Sequence, residues 1–156
     1  MNLATFLSRA DLLYLLTFIV FALRGAKTAL IYLLLFEGIL AINTLIKLSY
    51  HQPRPFMVDV VEPVEACPRG FGTPSGHALM QMGITLYFSL NYSRNNLIRR
   101  CLLIALSVIY SVYIGVSRVY VKVHSFDQIL LGWTMGGWAA TYYYNCLQEP
   151  ISEHLK

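Results

Sequence analysis

Residues 128–148 read Gln-Ile-Leu-Leu-Gly-Trp-Thr-Met-Gly-Gly-Trp-Ala-Ala-Thr-Tyr-Tyr-Tyr-Asn-Cys-Leu-Gln, without one charged side chain. At ~1.5 Å rise per residue, a helix of about 20 such residues crosses the hydrocarbon core of a bilayer. Working outward, Cys101 to Ser117 and Ala78 to Ser93 are also uncharged, and Thr28 to Ile46 carries only Glu37. Leu12 to Leu23 is shorter and is expected to extend upstream through Leu3 to Leu7. Lipid cannot hydrogen-bond a backbone, so each stretch is predicted as a helix. The expected fold class is all-α: a polytopic transmembrane bundle of about five helices, forming a single domain over residues 1–156.

Composition agrees. Hydrophobic residues make up 56% of the chain and charged residues 13%, with mean hydropathy +0.54; soluble domains sit near 45–50% and roughly 25%. A small soluble domain cannot hide that much apolar surface, which excludes a secreted disulfide domain, a disordered tail and a typical cytosolic enzyme. The net charge of +4 contains no Lys/Arg run, so nucleic acid is not an expected partner. Arg24 spoils a cleavage site near Ala22 and Ala26, so the first segment is read as retained.

Topology follows from parity. Lys47 to Gly76 and Arg118 to Asp127 are separated by two helices and share a face. Arg24, Lys27, Arg94, Arg99 and Arg100 lie on the other, in short loops, and basic short loops favour the cytoplasm. The long-loop face is therefore expected to be periplasmic or luminal: a multi-pass protein of a bacterial inner membrane, or of the ER with a luminal site. Cys67 falls on that face, and Cys101 and Cys146 near the opposite one, so no disulfide is expected. Gly132 and Gly136, and the series Ser107, Ser111, Gly115, read as close helix packing in preference to a dimer interface; nothing in the sequence argues for an oligomer. Tyr142, Tyr143 and Tyr144 read as an interfacial aromatic belt. Glu37, ten residues before Lys47, is too far along its helix to reach chemistry there and is read as joining helices, with a partner such as Asn43.

The shared face is rich in chemistry. Lys47 and Arg54 are seven residues apart, with Pro53 and Pro55 ending the helix after Gln52. Gly72-Thr73-Pro74-Ser75-Gly76-His77 is a helix start with Ser75 as N-cap, and amides exposed there make an anion site. Ser117-Arg118 is followed by His124 and, three residues on, by Asp127; a carboxylate at one imidazole nitrogen would fix the tautomer of the other. Three cations, a helix N-terminus and two histidines are the inventory of phosphoryl transfer without a metal. His124 would attack phosphorus and His77 would donate a proton to the leaving oxygen, giving a bell-shaped pH dependence. Alone, His124 reads as a structural histidine, Lys47 and Arg118 as snorkelling helix ends, and Asp127 as a helix cap. His51 is a loop residue, and Asp59, Glu62 and Glu65 a solvated face. Zinc-type Cys/His spacing is absent.

The pattern Lys47-x6-Arg54-Pro55, Pro74-Ser75-Gly76-His77 and Ser117-Arg118-x5-His124 with Asp127 resembles the three signature motifs of the type 2 phosphatidic acid phosphatase (PAP2) superfamily, which includes bacterial lipid phosphatases, glucose-6-phosphatases and vanadium haloperoxidases. The resemblance spans about half the chain. It implies a haloperoxidase-like helical core and a metal-independent, cofactor-free phosphatase. Lys47, Arg54, Ser75, Gly76 and Arg118 would bind phosphate, His124 would form a phosphohistidine, Asp127 would orient it, and His77 would be the acid/base. Two helices precede the first motif, against the usual three of bacterial lipid phosphatases. The site opens at the bilayer surface, so the expected substrate is a phospholipid, polyprenyl or glycolipid phosphate or diphosphate. The alternatives are a sugar-phosphate phosphatase and a non-catalytic phospholipid-binding protein.

Overall fold

A computed structural model describes residues 10–58, 70–93 and 95–155. The upstream extension through Leu3 to Leu7, and Asp59, Glu62, Glu65, Cys67 and Arg94, lie outside the described residues. The elements are α1 (Ala10–Arg24), α2 (Ala26–Tyr50), the short α3 (Pro55–Val58), α4 (Gly76–Tyr92), α5 (Leu97–Tyr120) and α6 (Phe126–Tyr142). A π-helical turn (Tyr143–Leu147) then leads into α7 (Gln148–His154). Five helices of 15 residues or more are thus present among the described residues, matching the sequence expectation. The stretches Ala26–Val58 and Leu97–Tyr120 are long and apolar enough to cross a membrane.

Burial is inverted relative to a water-soluble bundle. On α5, Ser107, Ser111, Ser117 and Arg118 are buried, whereas Leu97, Leu106, Ile109 and Val116 are exposed. Water would penalise that arrangement and lipid favours it. The apolar centre joins Leu35, Phe36 and Ile39 of α2 to Leu79, Ile84 and Tyr87 of α4 and Ala139 and Ala140 of α6.

Small residues let α4 and α6 approach closely, as the Gly132/Gly136 spacing predicts. A Cβ at Gly132 would lie 2.8 Å from the Ser75 carbonyl oxygen, and one at Gly136 would overlap the Leu79 carbonyl and lie 3.0 Å from the Gly83 nitrogen. The Ser107/Ser111/Gly115 face of α5 serves the same end. Ser107 Oγ lies 2.6 Å from Ser89 Oγ of α4, the Ser111 carbonyl accepts from Trp133 Nε1 at 3.2 Å, and Gly115 leaves room for the Trp133 ring. A paired substitution tests the contact. Gly136→Ala forces backbone apart and is expected to destabilise by about 1–3 kcal/mol. Gly137→Ala, whose Cβ meets nothing closer than Met82 Cγ at 3.9 Å, is expected to raise stability by up to about 1 kcal/mol; thermal inactivation in detergent compares the two.

Two local expectations are corrected. Tyr143 is buried in the centre and donates to the Ile31 carbonyl at 2.7 Å, because the π-helical turn swings it inward; of the tyrosine run, Tyr142 is outward and stacked on Trp138. Glu37 does not pair with Asn43. It faces outward and its Oε1 accepts from Tyr14 Oη of α1 at 2.8 Å, a bond that satisfies the carboxyl and joins α1 to α2.

Candidate active site

The helix ends and loops bearing the three motifs meet at one end of the bundle. Helix α2 stops at Tyr50, and His51 takes a left-handed conformation (φ 48°) that turns the chain sideways. This carries Pro53-Arg54-Pro55 across the top of the bundle. Arg54, 6% exposed, is held by acceptors on two other segments: Nε donates to the Gly70 carbonyl (2.9 Å) and Nη1 to the Val123 carbonyl (3.0 Å). The same Nη1 lies 3.0 Å from His124 Nε2. Lys47, on the last turn of α2, donates from Nζ to the Phe71 carbonyl at 2.8 Å. Among the described residues, no carboxylate contacts either cation, so their charge stays available to an anion.

The second motif opens α4. Ser75 is fully buried at the N-cap, its backbone N–H donating to the Gln128 carbonyl at 2.9 Å. Its hydroxyl oxygen makes no hydrogen bond and stands at the head of the helix, where Gly76 and His77 follow. The third motif ends α5 and opens α6. Arg118 is 2% exposed; its Nε lies 3.3 Å from Ser117 Oγ, and its carbonyl accepts from the backbone N–H groups of Val123 (3.2 Å) and His124 (3.3 Å). That turn holds the His124 backbone against Arg118.

His124 is buried, and its pKa is lowered from the ordinary 6.5 to about 3. Burial is the main cause, followed by the Arg54 charge, with Lys47 and His77 adding to it and the Gln128 hydrogen bond opposing it. These influences set Lys47, Arg54 and His77 around one imidazole. The sign is then fixed: between pH 6.5 and about 3 the unfolded chain takes up a proton that the folded chain refuses. The stability tied to neutral His124 is complete above pH 6.5 and is lost as pH falls toward 3. Thermal inactivation of the purified protein should steepen on acidification, and His124→Gln should lessen that slope by up to ~1.4 kcal/mol per pH unit.

The structure differs from the sequence expectation at Asp127. This carboxylate is exposed on the first turn of α6 and accepts from Gln52 Nε2 at 3.0 Å. It does not touch His124. The reason is where the helix begins: Ser125 is the N-cap, so His124 precedes α6 and does not share a helical face with Asp127. The side chain that turns under the imidazole is Gln128, whose Oε1 lies 3.1 Å from His124 Nδ1. Gln52 also accepts from Thr73 Oγ1, and its carbonyl accepts from the Gly72 N–H at 2.8 Å, tying the three motif segments together. Sequence reasoning missed Gln52 and Gln128. The signal for Gln128 was the capping-box spacing Ser125-x-x-Gln128, which turns the N3 side chain back past the helix start toward His124.

Among the described residues, no group of three or more His, Cys, Asp and Glu is placed to hold a metal ion. What the arrangement brings to one end of the bundle is a buried imidazole with the Arg54 guanidinium against it and Lys47 and His77 near enough to act on it, beside the start of α4 and the buried end of α5 at Arg118.

Comparison with known proteins agrees with this geometry. The family model of the PAP2 superfamily matches residues 26–152. A dolichyldiphosphatase of Saccharomyces cerevisiae is 26% identical over 106 residues, 65% of this chain and 44% of the yeast protein, so the chain spans less than half of that relative's length. Among solved structures, a transmembrane PAP2-type phosphatidylglycerolphosphate phosphatase from Bacillus subtilis superposes with a TM-score of 0.77 at 22% identity, covering 98% of this chain and 75% of that one. An inverted bundle with the fold of a transmembrane protein is an integral membrane protein. With the family model matched over most of this chain and all three motif segments gathered at one end of the bundle, the chain belongs to the PAP2 superfamily.

Proposed function

We propose that the protein is a membrane phosphatase that removes the terminal phosphate of a lipid phosphate or lipid diphosphate through a phosphohistidine. The observation that carries this reading is the neutral, buried His124, its Nε2 3.0 Å from Arg54, beside two cations, Lys47 and Arg54, that no described carboxylate neutralises. Arg54, Arg118, Lys47, the Ser75 hydroxyl and the Gly76 amide receive the phosphoryl oxygens. His124 Nε2 attacks phosphorus, and the bond to the leaving oxygen breaks as His77 protonates it. Water, giving its proton to His77, then cleaves the P–N bond. No step uses a metal, because the cations supply the charge neutralisation.

The lipid assignment rests on position: the pocket lies at the end of a lipid-facing bundle, so a hydrocarbon tail can stay in the bilayer while its head reaches the cations. It is also in keeping with the names of the two similar proteins, a dolichyldiphosphatase and a phosphatidylglycerolphosphate phosphatase. The opposite end carries Arg24, Lys27, Arg99 and Arg100, so by the short-loop rule the pocket faces away from the cytoplasm. The test is phosphate release by purified protein, with chelator present, from phosphatidic acid, phosphatidylglycerol phosphate, a polyprenyl diphosphate and a sugar phosphate side by side. Turnover confined to the lipids is expected; turnover of the sugar phosphate alone overturns the lipid reading, and loss of all turnover on chelation overturns the metal-free one.

A further inference from the structure

Two independent constraints act on the His124 ring. The first is the orientation of the Gln128 amide. Its Oε1 accepts from the backbone N–H of Ser125 (3.3 Å) and its Nε2 donates to the Pro53 carbonyl (2.9 Å). A backbone N–H only donates and a proline carbonyl only accepts, so oxygen and nitrogen cannot be exchanged. Oxygen therefore faces His124 Nδ1, which must carry the hydrogen. The second constraint is Arg54, which has no acceptor and lies against Nε2; Nε2 must offer its lone pair. Both demand the same tautomer.

We infer that Gln128 is the positioning residue of His124: its neutral amide, and not the Asp127 carboxylate, holds the imidazole with Nδ1 protonated and the Nε2 lone pair directed at the Arg54 guanidinium, the group proposed to grip the phosphate. Gln128 is 1% exposed, and the fold is shaped around it. A Cβ at Gly72 would overlap its amide, and its own backbone carbonyl anchors Ser75. One residue thus ties together Pro53 of the first motif segment, the turn before α4 and the histidine.

An amide does the work of orientation without adding a negative charge. The groups whose charges act on His124 are Arg54 from the loop after α2, Lys47 from α2 and His77 from α4, with Asp127 of α6 turned outward; Arg118 of α5 meets His124 through its backbone carbonyl. The cations beside the ring therefore keep their charge for the substrate, and the histidine stays neutral far into the acid range.

This inference rests on the phosphohistidine reading, and the experiment separates the two. Steady-state kinetics and pH profiles of kcat/KM are measured for wild type, Gln128→Met, Gln128→Glu, Asp127→Asn and His124→Ala. Gln128→Met keeps the volume and loses the acceptor; kcat is expected to fall about 100-fold or more, as when a triad histidine loses its orienting partner, with KM within about threefold. Gln128→Glu keeps an acceptor and adds a charge, so the acid limb of kcat/KM should move up by about 1–3 pH units. Asp127→Asn should cost no more than about threefold, the size of an exposed contact. Gln128→Met with kcat intact, Gln128→Glu with an unmoved acid limb, or Asp127→Asn losing as much as Gln128→Met each overturns the inference. Should Gln128→Met fail to fold, Gln128→Glu and Asp127→Asn still decide. If His124→Ala keeps turnover, the phosphohistidine reading itself falls; if His124→Ala is dead while Gln128→Met is fully active, only the role of Gln128 falls.

Discussion

His124→Ala is expected to lower kcat by on the order of 10⁴-fold or more, with the protein still folded. The expectation follows from how little else in the pocket can attack phosphorus. Arginine and lysine cations are poor nucleophiles, and the Ser75 hydroxyl is fully buried with no basic partner in hydrogen-bond contact. The imidazole is different: it is neutral, 4% exposed, and its Nε2 carries a lone pair toward the cations. Loss of the ring also relieves the burial of a titratable group, so the variant should not be less stable at acid pH than wild type. A variant that kept more than about a tenth of wild-type kcat would place the nucleophile elsewhere, since removal of a true nucleophile costs far more than that.

Arg54→Lys is the second large effect. The guanidinium spans three partners from two of its nitrogens: the Gly70 carbonyl at 2.9 Å, the Val123 carbonyl at 3.0 Å and His124 Nε2 at 3.0 Å. A lysine ammonium is a single point on a flexible stem and cannot reproduce a planar fork. The substitution preserves charge but leaves at least one buried carbonyl unpaired, and it removes the paired donors that would grip a phosphoryl oxygen as charge develops. A fall in kcat/KM of about 10²- to 10³-fold is expected, comparable to losing one transition-state donor, with the larger part in kcat. Steady-state kinetics on a lipid phosphate would check it. A loss within threefold would mean that only the charge at position 54 matters.

Much of this was legible in the residues because lipid imposes a simple code. Uncharged stretches long enough to cross a bilayer had to be helices. Their order along the chain put Lys47–Gly76 and Arg118–Asp127 at one end, where Arg54 meets Val123 and His124 and Gln52 meets Asp127. The glycine pair Gly132/Gly136 carried its packing meaning on its face, since only small residues allow two backbones so close. The features that were not legible depend on where a helix begins or bulges. Asp127 looked like the partner of His124 because two residues three apart share one face of a helix. Ser125 starts the helix between them, so the turn of α6 brings Gln128 beneath the ring instead. Tyr143 looked like its two neighbours until the π-helical turn rotated it inward to the Ile31 carbonyl. Glu37 found Tyr14, on a helix whose register against α2 no local pattern encodes.

The central claim is that a covalent bond forms between His124 and phosphorus. The direct measurement is rapid mixing of purified protein with a lipid phosphate or diphosphate labelled with ³²P on its terminal phosphate. The reaction is quenched in alkali, which preserves P–N bonds, and the labelled peptide is then identified. The account predicts transient label on the peptide carrying His124, absent from His124→Ala and longer-lived in His77→Ala, which lacks the base that activates water. Full turnover with no protein-bound label, or label on any residue other than His124, would contradict it.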